Sequence, residues 1–150
     1  MKKYWFILFI CLSFVIKAQT TTDADKILGL WQVGSGKARI KITKYGDKFG
    51  GKIVWLRDSL NEKGERKIDK NNPDKVKKAM PLIGLNNLLG FTYKENGKYT
   101  GGTIYDPENG STYNCVINLE DVNSLKVRGY IGIQIIGRTD VWKRVVEHQK

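Results

Sequence analysis

The last third of the chain, residues 101–145, alternates apolar and polar side chains over three or four short segments that have almost no spacer between them. Alternation with a period of two predicts β-strands that bury one face and leave the other in water. Asn109-Gly110 separates two of these segments, and Asn-Gly favours a tight turn between antiparallel strands. A run this dense has no room for a helix of ordinary length, so consecutive antiparallel strands are expected.

The chain after residue 28 repeats this pattern. In residues 37–45, KARIKITKY, apolar residues at 38, 40 and 42 alternate with charged residues and a threonine. Gly46-Asp47 then turns the chain into a partner strand, and Asn96-Gly97 marks a second hairpin. Besides a first strand that opens at Gly29, the predicted strands cover residues 37–45, 48–56, 88–94, 99–106, 111–119, 125–134 and 138–146.

About eight short strands linked mostly by tight turns are typical of an all-β barrel or sandwich. Several of the sixteen glycines lie inside the strand segments, where glycine indicates a bend or the close approach of another group. A small closed barrel needs such bends. We therefore predict an all-β, antiparallel, up-and-down barrel of about eight strands.

The N-terminus has the pattern of a secretory signal peptide. Lys2 and Lys3 precede an apolar stretch over residues 4–16, which is short for a membrane span and typical of a signal sequence. Ala18 supplies a small residue for cleavage. We expect an exported protein, periplasmic or secreted, and the alternative is an uncleaved N-terminal anchor helix.

We expect the chain to divide into four consecutive segments. Residues 1–18 are the signal peptide, 19–28 a polar lead-in, 29–146 a single barrel domain and 147–150 a polar tail. Within the domain, residues 58–80 form a long charged loop, for which we expect one helical turn from Pro73 to Lys78 with Asn72 as its N-cap. Such a loop either lies over the barrel mouth or is a solvated excursion.

The chain is strongly basic, with a formal net charge of +11. The signal peptide takes three lysines and no acids, so the mature charge is 23 − 15 = +8. An exported protein is separated from the chromosome, which argues against nucleic acid as the partner of this positive charge. An anionic lipid or wall polymer of the envelope is the favoured partner. The alternative is a solvated basic surface. We expect a monomer with no transmembrane segment after cleavage.

The residue types that carry most enzyme chemistry are scarce. The single histidine, His148, lies in the tail, so a Ser-His-Asp or Cys-His site is not expected. Cys11 leaves with the signal peptide, and Cys115 alternates with apolar residues, which predicts a buried structural thiol. No His/Cys cluster predicts a metal site, and no cofactor motif occurs.

Several short sequence segments of the mature chain together resemble the exported bacterial family DUF2147, a domain of unknown function. The resemblance implies an exported single-domain protein with no established reaction, and it supplies no catalytic residues. These segments are Gly29-Leu30-Trp31, GKIVWL at 51–56, Asn72-Pro73-Asp74, PLIGL at 81–85, GGTIYDP at 101–107, GSTYNC at 110–115, LKVRGYIG at 125–132 and Gly137-Arg138-Thr139 with Trp142.

Gly29-Leu30-Trp31 also resembles the G-x-W motif that opens the first strand of lipocalin-like (calycin) barrels. In those barrels an arginine late in the chain packs over the tryptophan, so the resemblance implies a structural clasp between Trp31 and Arg144, with Arg138 as a second candidate. A guanidinium stacked on an indole contributes about 0.5–2 kcal/mol. Such a clasp would tie the first strand to the last.

A barrel of this size either is filled by side chains or holds one small ligand. We expect a binding module for a small amphipathic or anionic ligand, because arginines and tyrosines together bind carboxylates or phosphates. The alternatives are an envelope protein that contacts anionic lipid or wall polymer, and an unrecognised enzyme. Asp106 also has a plainer role as a turn former. The candidate ligand-binding residues are Trp31, Trp55, Tyr105, Asp106, Arg128, Tyr130 and Arg138.

Overall fold

The computed structural model describes residues 22–146, so the predicted signal peptide and tail lie outside the described residues. Within that part, eight antiparallel strands run up and down in chain order, and the last pairs with the first to close a barrel. The predicted fold class is confirmed. The strands are β1 (Gly29–Gln32), β2 (Ala38–Tyr45), β3 (Lys48–Leu56), β4 (Asn86–Tyr93), β5 (Lys98–Asp106), β6 (Ser111–Asp121), β7 (Ser124–Tyr130) and β8 (Gly137–Arg144).

The Asn96-Gly97 turn joins β4 to β5 as its residue types require. Asn96 has a φ of 50° and Gly97 a φ of 75°, and the Lys98 N–H donates to the Glu95 carbonyl at 2.9 Å. Two positive φ angles define the type I′ turn, whose twist matches that of the flanking strands. Asparagine and glycine enter this conformation at low cost.

Large side chains fill the barrel interior. The rings of Trp31, Phe49, Phe91 and Tyr99 are at most 2 % exposed, and they pack with buried aliphatic residues in one cluster. Inward-facing glycine makes room for them, since a Cβ at Gly102 would lie 2.5 Å from the Phe91 ring. The space that would hold a ligand in a more open barrel is therefore occupied by the protein itself.

One end of the barrel is closed by a 3₁₀ helix, Asp23–Ile27. Ile27 is fully buried, and its carbonyl accepts a 2.8 Å hydrogen bond from Trp31 Nε1. The guanidinium of Arg144 lies 4.1 Å from the centre of the Trp31 ring, which is the contact expected for this pair. We call this group of contacts the clasp, and the end of the barrel where it lies the clasp end.

Arg144 also ties two other segments of backbone to β8. Its guanidinium donates to the carbonyls of Leu28, Lys26 and Val122. Burial lowers the pKa of Arg144, but an arginine stays charged near neutral pH. Gly29 is required beside it, because Gly29 has a φ of 132° and a Cβ there would lie 2.6 Å from Arg144 Nη1.

Two local predictions are wrong. The strand predicted over residues 125–134 ends at Tyr130, because Gly132 with a φ of 69° turns the chain into a loop. The helical turn predicted from Pro73 is a 3₁₀ turn at Lys77–Ala79 with no side-chain cap. Asn72 Nδ2 donates to Asp69, and Asn72 Oδ1 accepts the Asp74 N–H as an N-cap residue does, but the regular 3₁₀ turn begins only at Lys77.

We predict that replacing Arg144 with lysine lowers the free energy of unfolding by about 1–3 kcal/mol. A lysine ammonium cannot stack as a plane on Trp31 while it donates to three separate carbonyls. Urea unfolding followed by tryptophan fluorescence measures the change. Arg138→Lys is the matched control because Arg138 is exposed, and equal effects of the two substitutions would contradict the clasp.

Alkaline pH should destabilise the fold. Burial raises the pKa of Cys115 from 9.0 to about 12 and that of Tyr99 from 10.0 to about 12. The unfolded chain therefore loses these protons at lower pH than the native protein, and the free energy of unfolding falls as pH rises above about 9. Urea unfolding at a series of pH values measures this, and Cys115→Ala should move the onset toward pH 10. A flat profile between pH 8 and 11 would contradict the argument.

Candidate functional site

A concavity of about 510 Å³ lies on the outer face of the barrel, over β2, β3 and β4. Its β2 side chains alternate with Ile40 and Ile42, which belong to the core, so the concavity faces away from the interior. We call it the outer groove. Its lining residues are Lys41, Thr43, Tyr45, Gly50, Gly51, Lys52, Val54, Asn86, Leu88 and Leu89.

Two lysines face each other in this groove. Lys41 and Lys52 are direct partners in the register of β2 and β3, and both are exposed. Like charges that lie directly opposite in a sheet destabilise it. Within residues 22–146 neither lysine forms an ion pair. The pair is therefore an uncompensated local concentration of positive charge that a bound anion would neutralise.

Tyr45 forms part of the groove because Gly50 has no side chain. A Cβ at Gly50 would lie 2.7 Å from Cε1 of Tyr45, so the ring occupies the space above that glycine. The Tyr45 hydroxyl oxygen accepts a 2.7 Å hydrogen bond from the Gly90 N–H. A hydroxyl can accept and donate at the same time, which leaves its hydrogen to donate to a group in the groove.

The groove also has an apolar wall. Val54 and Leu89 line it while remaining 39 % and 48 % exposed. Asn86, which is opposite Lys52 in the register of β3 and β4, adds an exposed amide. Charged, hydrogen-bonding and apolar groups are therefore combined on one surface, as in most small-molecule sites.

The two candidate tryptophans lie elsewhere. Trp31 is fully buried in the clasp, where a ligand cannot reach its ring. Trp55 is half-buried outside the core cluster, and the guanidinium of Arg39 lies 4.6 Å from the centre of its ring. Val54 rather than Trp55 lines the groove, because Val54 alternates with the buried Ile53 and shares the outer face with Lys52. A β-bulge between Arg39 and Ile40 pairs Trp55 with Arg39.

Tyr105 and Asp106 belong to a second cluster, at the end of the barrel opposite the clasp. The Tyr105 hydroxyl donates to Oδ1 of Asp69 at 2.7 Å, and Asn72 Nδ2 donates to Oδ2 of Asp69 at 2.6 Å. Asp69 is 1 % exposed. Burial, followed by the neighbouring Asp69 carboxylate, raises the pKa of Tyr105 to about 12. Asp106 accepts the Glu108 N–H at 2.9 Å, which makes it a turn former.

These contacts attach the long β3–β4 connection to the barrel. The side-chain amide of Asn71 donates to the carbonyls of Pro107 and Glu108, at 3.1 and 2.8 Å. The charged loop is thus docked on the β5–β6 turn through Asn71 and on Tyr105 of β5 through Asp69, which Asn72 holds in place. Sequence reasoning missed this role, although Asp69-x-Asn71-Asn72 is a dense group of side chains that bond to backbone.

Arg128, Tyr130 and Arg138 lie around the β7–β8 loop at the same end of the barrel. Arg128 alternates with the core residue Val127 and therefore faces outward. Its guanidinium donates to the carbonyls of Gln134 and Ile135 and to the Thr139 hydroxyl. Arg138 is exposed and Tyr130 half-buried. The seven candidate residues therefore do not form one ligand site.

The pairing of the two groove lysines can be predicted from the sequence. Counting outward from the Gly46-Asp47 turn pairs residue 41 with residue 52, which is the register that β2 and β3 adopt. What the alternation does not reveal is that β4 continues the surface with Leu89. The part of the chain that the structure describes contains no cluster of three metal-binding side chains, and none of its helices is long and apolar enough to cross a membrane.

Residues 29–144 match the model of a family described as "Uncharacterized protein conserved in bacteria (DUF2147)". The chain belongs to the DUF2147 family. The matched residues span the barrel from the start of β1 to the end of β8, so the outer groove and the Trp31 and Arg144 side chains of the clasp lie inside the family domain. No curated protein matches the chain.

A solved structure has the same fold as this DUF2147 protein. It is a protein from the human pathogen Helicobacter pylori, HP1028, described as belonging to the lipocalin family. The two chains are 21% identical, with a TM-score of 0.71 over 80% of this chain and 83% of the other. At this identity the likeness shows the lipocalin-like fold alone.

We predict that Tyr105→Phe lowers the free energy of unfolding by about 1–3 kcal/mol, because it leaves one oxygen of the buried Asp69 without its donor. Urea unfolding measures the loss, and limited proteolysis should cut the β3–β4 connection faster. Tyr113→Phe is the control, since the Tyr113 hydroxyl is bonded to the exposed Asn109. Equal stability of Tyr105→Phe and the wild type would show that the buried cluster does not hold the connection.

Proposed function

We propose that this DUF2147 protein binds a small anionic amphiphile in the outer groove. The observation that carries the proposal is the direct opposition of Lys41 and Lys52 above an apolar wall. An anion held between two ammonium groups relieves their repulsion and forms charge-assisted hydrogen bonds. Binding would therefore convert an unfavourable pair into a favourable site.

The charge and shape of the groove indicate the class of ligand. A carboxylate or phosphate head fits between the lysines, with the Tyr45 hydroxyl as a third donor. Val54 and Leu89 offer contact to an alkyl chain attached to that head. The groove volume of about 510 Å³ lies within the usual range of small-molecule sites.

The filled interior supports an outside site. A ligand inside the barrel would have to displace rings such as Phe91 and Tyr99, which are buried in the core. Opening a cavity in such a core costs several kcal/mol for each large side chain that leaves it. On the outer face a ligand displaces only water.

The test measures binding of dodecanoate and dodecyl phosphate by isothermal titration calorimetry, below their micelle concentrations. The chain from Gln19 onward is used, since it contains the whole closed barrel. We expect saturable binding of both anions and weak or no binding of dodecyl maltoside, which is uncharged. The double substitution Lys41→Gln/Lys52→Gln should weaken binding at least about tenfold, because it removes both charged donors.

The matched control is Lys70→Gln/Lys98→Gln, which makes the same change in net charge at exposed lysines outside the groove. Equal weakening by the two double substitutions would mean that overall charge, not the groove, attracts the anion. If dodecyl maltoside bound with the same affinity as the two anions, the lysine pair would have no role in binding.

A further inference from the structure

The β7–β8 loop carries four exposed isoleucines within six residues. Ile131, Ile133, Ile135 and Ile136 are 68 %, 61 %, 85 % and 67 % exposed. We call residues 131–136 the isoleucine tip. Single exposed apolar residues are common on soluble proteins, but a contiguous exposed cluster marks a surface that another phase or molecule covers.

The tip has a defined backbone conformation. Arg128 donates through Nε to the Gln134 carbonyl at 2.7 Å and through Nη2 to the Ile135 carbonyl at 3.0 Å. The Ile136 N–H donates to the Ile133 carbonyl, and the Ile131 N–H to the Ile136 carbonyl, at 3.1 and 3.4 Å. All four consecutive carbonyls from residue 133 to residue 136 therefore accept a hydrogen bond from within the protein.

This arrangement lowers the cost of moving the tip out of water. An unsatisfied backbone carbonyl costs several kcal/mol in hydrocarbon, whereas a carbonyl that is already bonded avoids most of this penalty. The apolar side chains gain free energy when they leave water. The tip thus combines exposed apolar area with a backbone in which four of the six carbonyls already accept hydrogen bonds.

The charges near the tip favour an anionic surface. Residues 127–139 include Arg128 and Arg138 and contain no aspartate or glutamate. Lys126, farther from the tip on β7, is paired with Glu120 at 2.7 Å. Tyr130 is half-buried at the base of the tip, and tyrosine suits the boundary between an apolar phase and water. The positive charge of the two arginines beside the tip is complementary to anionic headgroups.

We infer that the isoleucine tip inserts into the interfacial layer of an anionic lipid surface. The inference is independent of the outer groove and does not require a ligand there. Successive turns of an up-and-down barrel lie at alternate ends, so the tip is at the end opposite the clasp. Insertion would therefore orient the barrel end-on to the membrane, with the clasp end directed into the aqueous phase.

The test is vesicle flotation of the chain from Gln19 onward, with phosphatidylcholine vesicles and with vesicles that also contain phosphatidylglycerol. We expect stronger binding to the mixed vesicles at low salt. At about 1 M salt, where the screening length is about 3 Å, binding should fall but not vanish, because the apolar part of the interaction is not screened. Ile133→Ser/Ile135→Ser should lower the partition coefficient at least about tenfold in both salt conditions.

The matched control is Val122→Ser/Val146→Ser, which removes two exposed apolar side chains, 64 % and 66 % exposed, at the clasp end. It should leave the partition coefficient within about twofold of wild type. Urea unfolding should give the same stability for both double variants and the wild type.

Three outcomes would overturn the inference. One is absence of binding to the mixed vesicles, and another is equal loss of binding in the two double variants. The third is a dimer in size-exclusion chromatography that only Ile133→Ser/Ile135→Ser converts to monomer, with no vesicle binding, since a second copy of the chain would then cover the tip. Loss of dodecanoate binding in the groove variant would leave this inference unaffected.

Discussion

The closed barrel depends on the contact between Trp31 and Arg144. β1 is four residues long and shares only two register pairs with β8, whereas β7 and β8 share seven. So short a seam would leave two strand edges poorly joined, and strand edges invite pairing with other chains. Stacking of the guanidinium on the indole, with its hydrogen bonds to three carbonyls, adds to this seam the interactions that its ladder lacks.

The packing of the interior decides where binding can occur. Phe91 lies in the space that Gly102 leaves open, so an aromatic ring occupies the position where a more open barrel would hold a ligand. The outer surface keeps features that packing does not explain, namely the opposed lysines of the outer groove and the exposed side chains of the isoleucine tip. Both would gain free energy from a partner, the lysines through charge neutralisation and the tip through desolvation.

Prediction from sequence succeeded where the information is local. The Asn96-Gly97 turn and the alternation in β2 each depend on residues a few positions apart, and both appear as expected. It failed for β7 because alternation continues through Ile131 and Ile133, although Gly132 turns the chain out of the sheet. Alternation with Leu125 and Val127 places Arg128 on the outer face of β7, but it does not reveal that Arg128 binds the carbonyls of Gln134 and Ile135 in the β7–β8 loop.

By itself, the amino-acid sequence determined an all-β fold and the pairing of its hairpins, because turn residues and period-2 patterns act over short distances. The two partners of the clasp were implied by the resemblance of Gly29-Leu30-Trp31 to the motif that opens lipocalin-like barrels. Only the tertiary structure decided that the interior is filled, that Tyr105 reaches Asp69 across 36 residues of chain, and that Leu89 joins the lysine pair in one groove. These facts depend on side-chain volumes and on contacts between distant segments. Neither can be calculated until the barrel has closed and its radius is known.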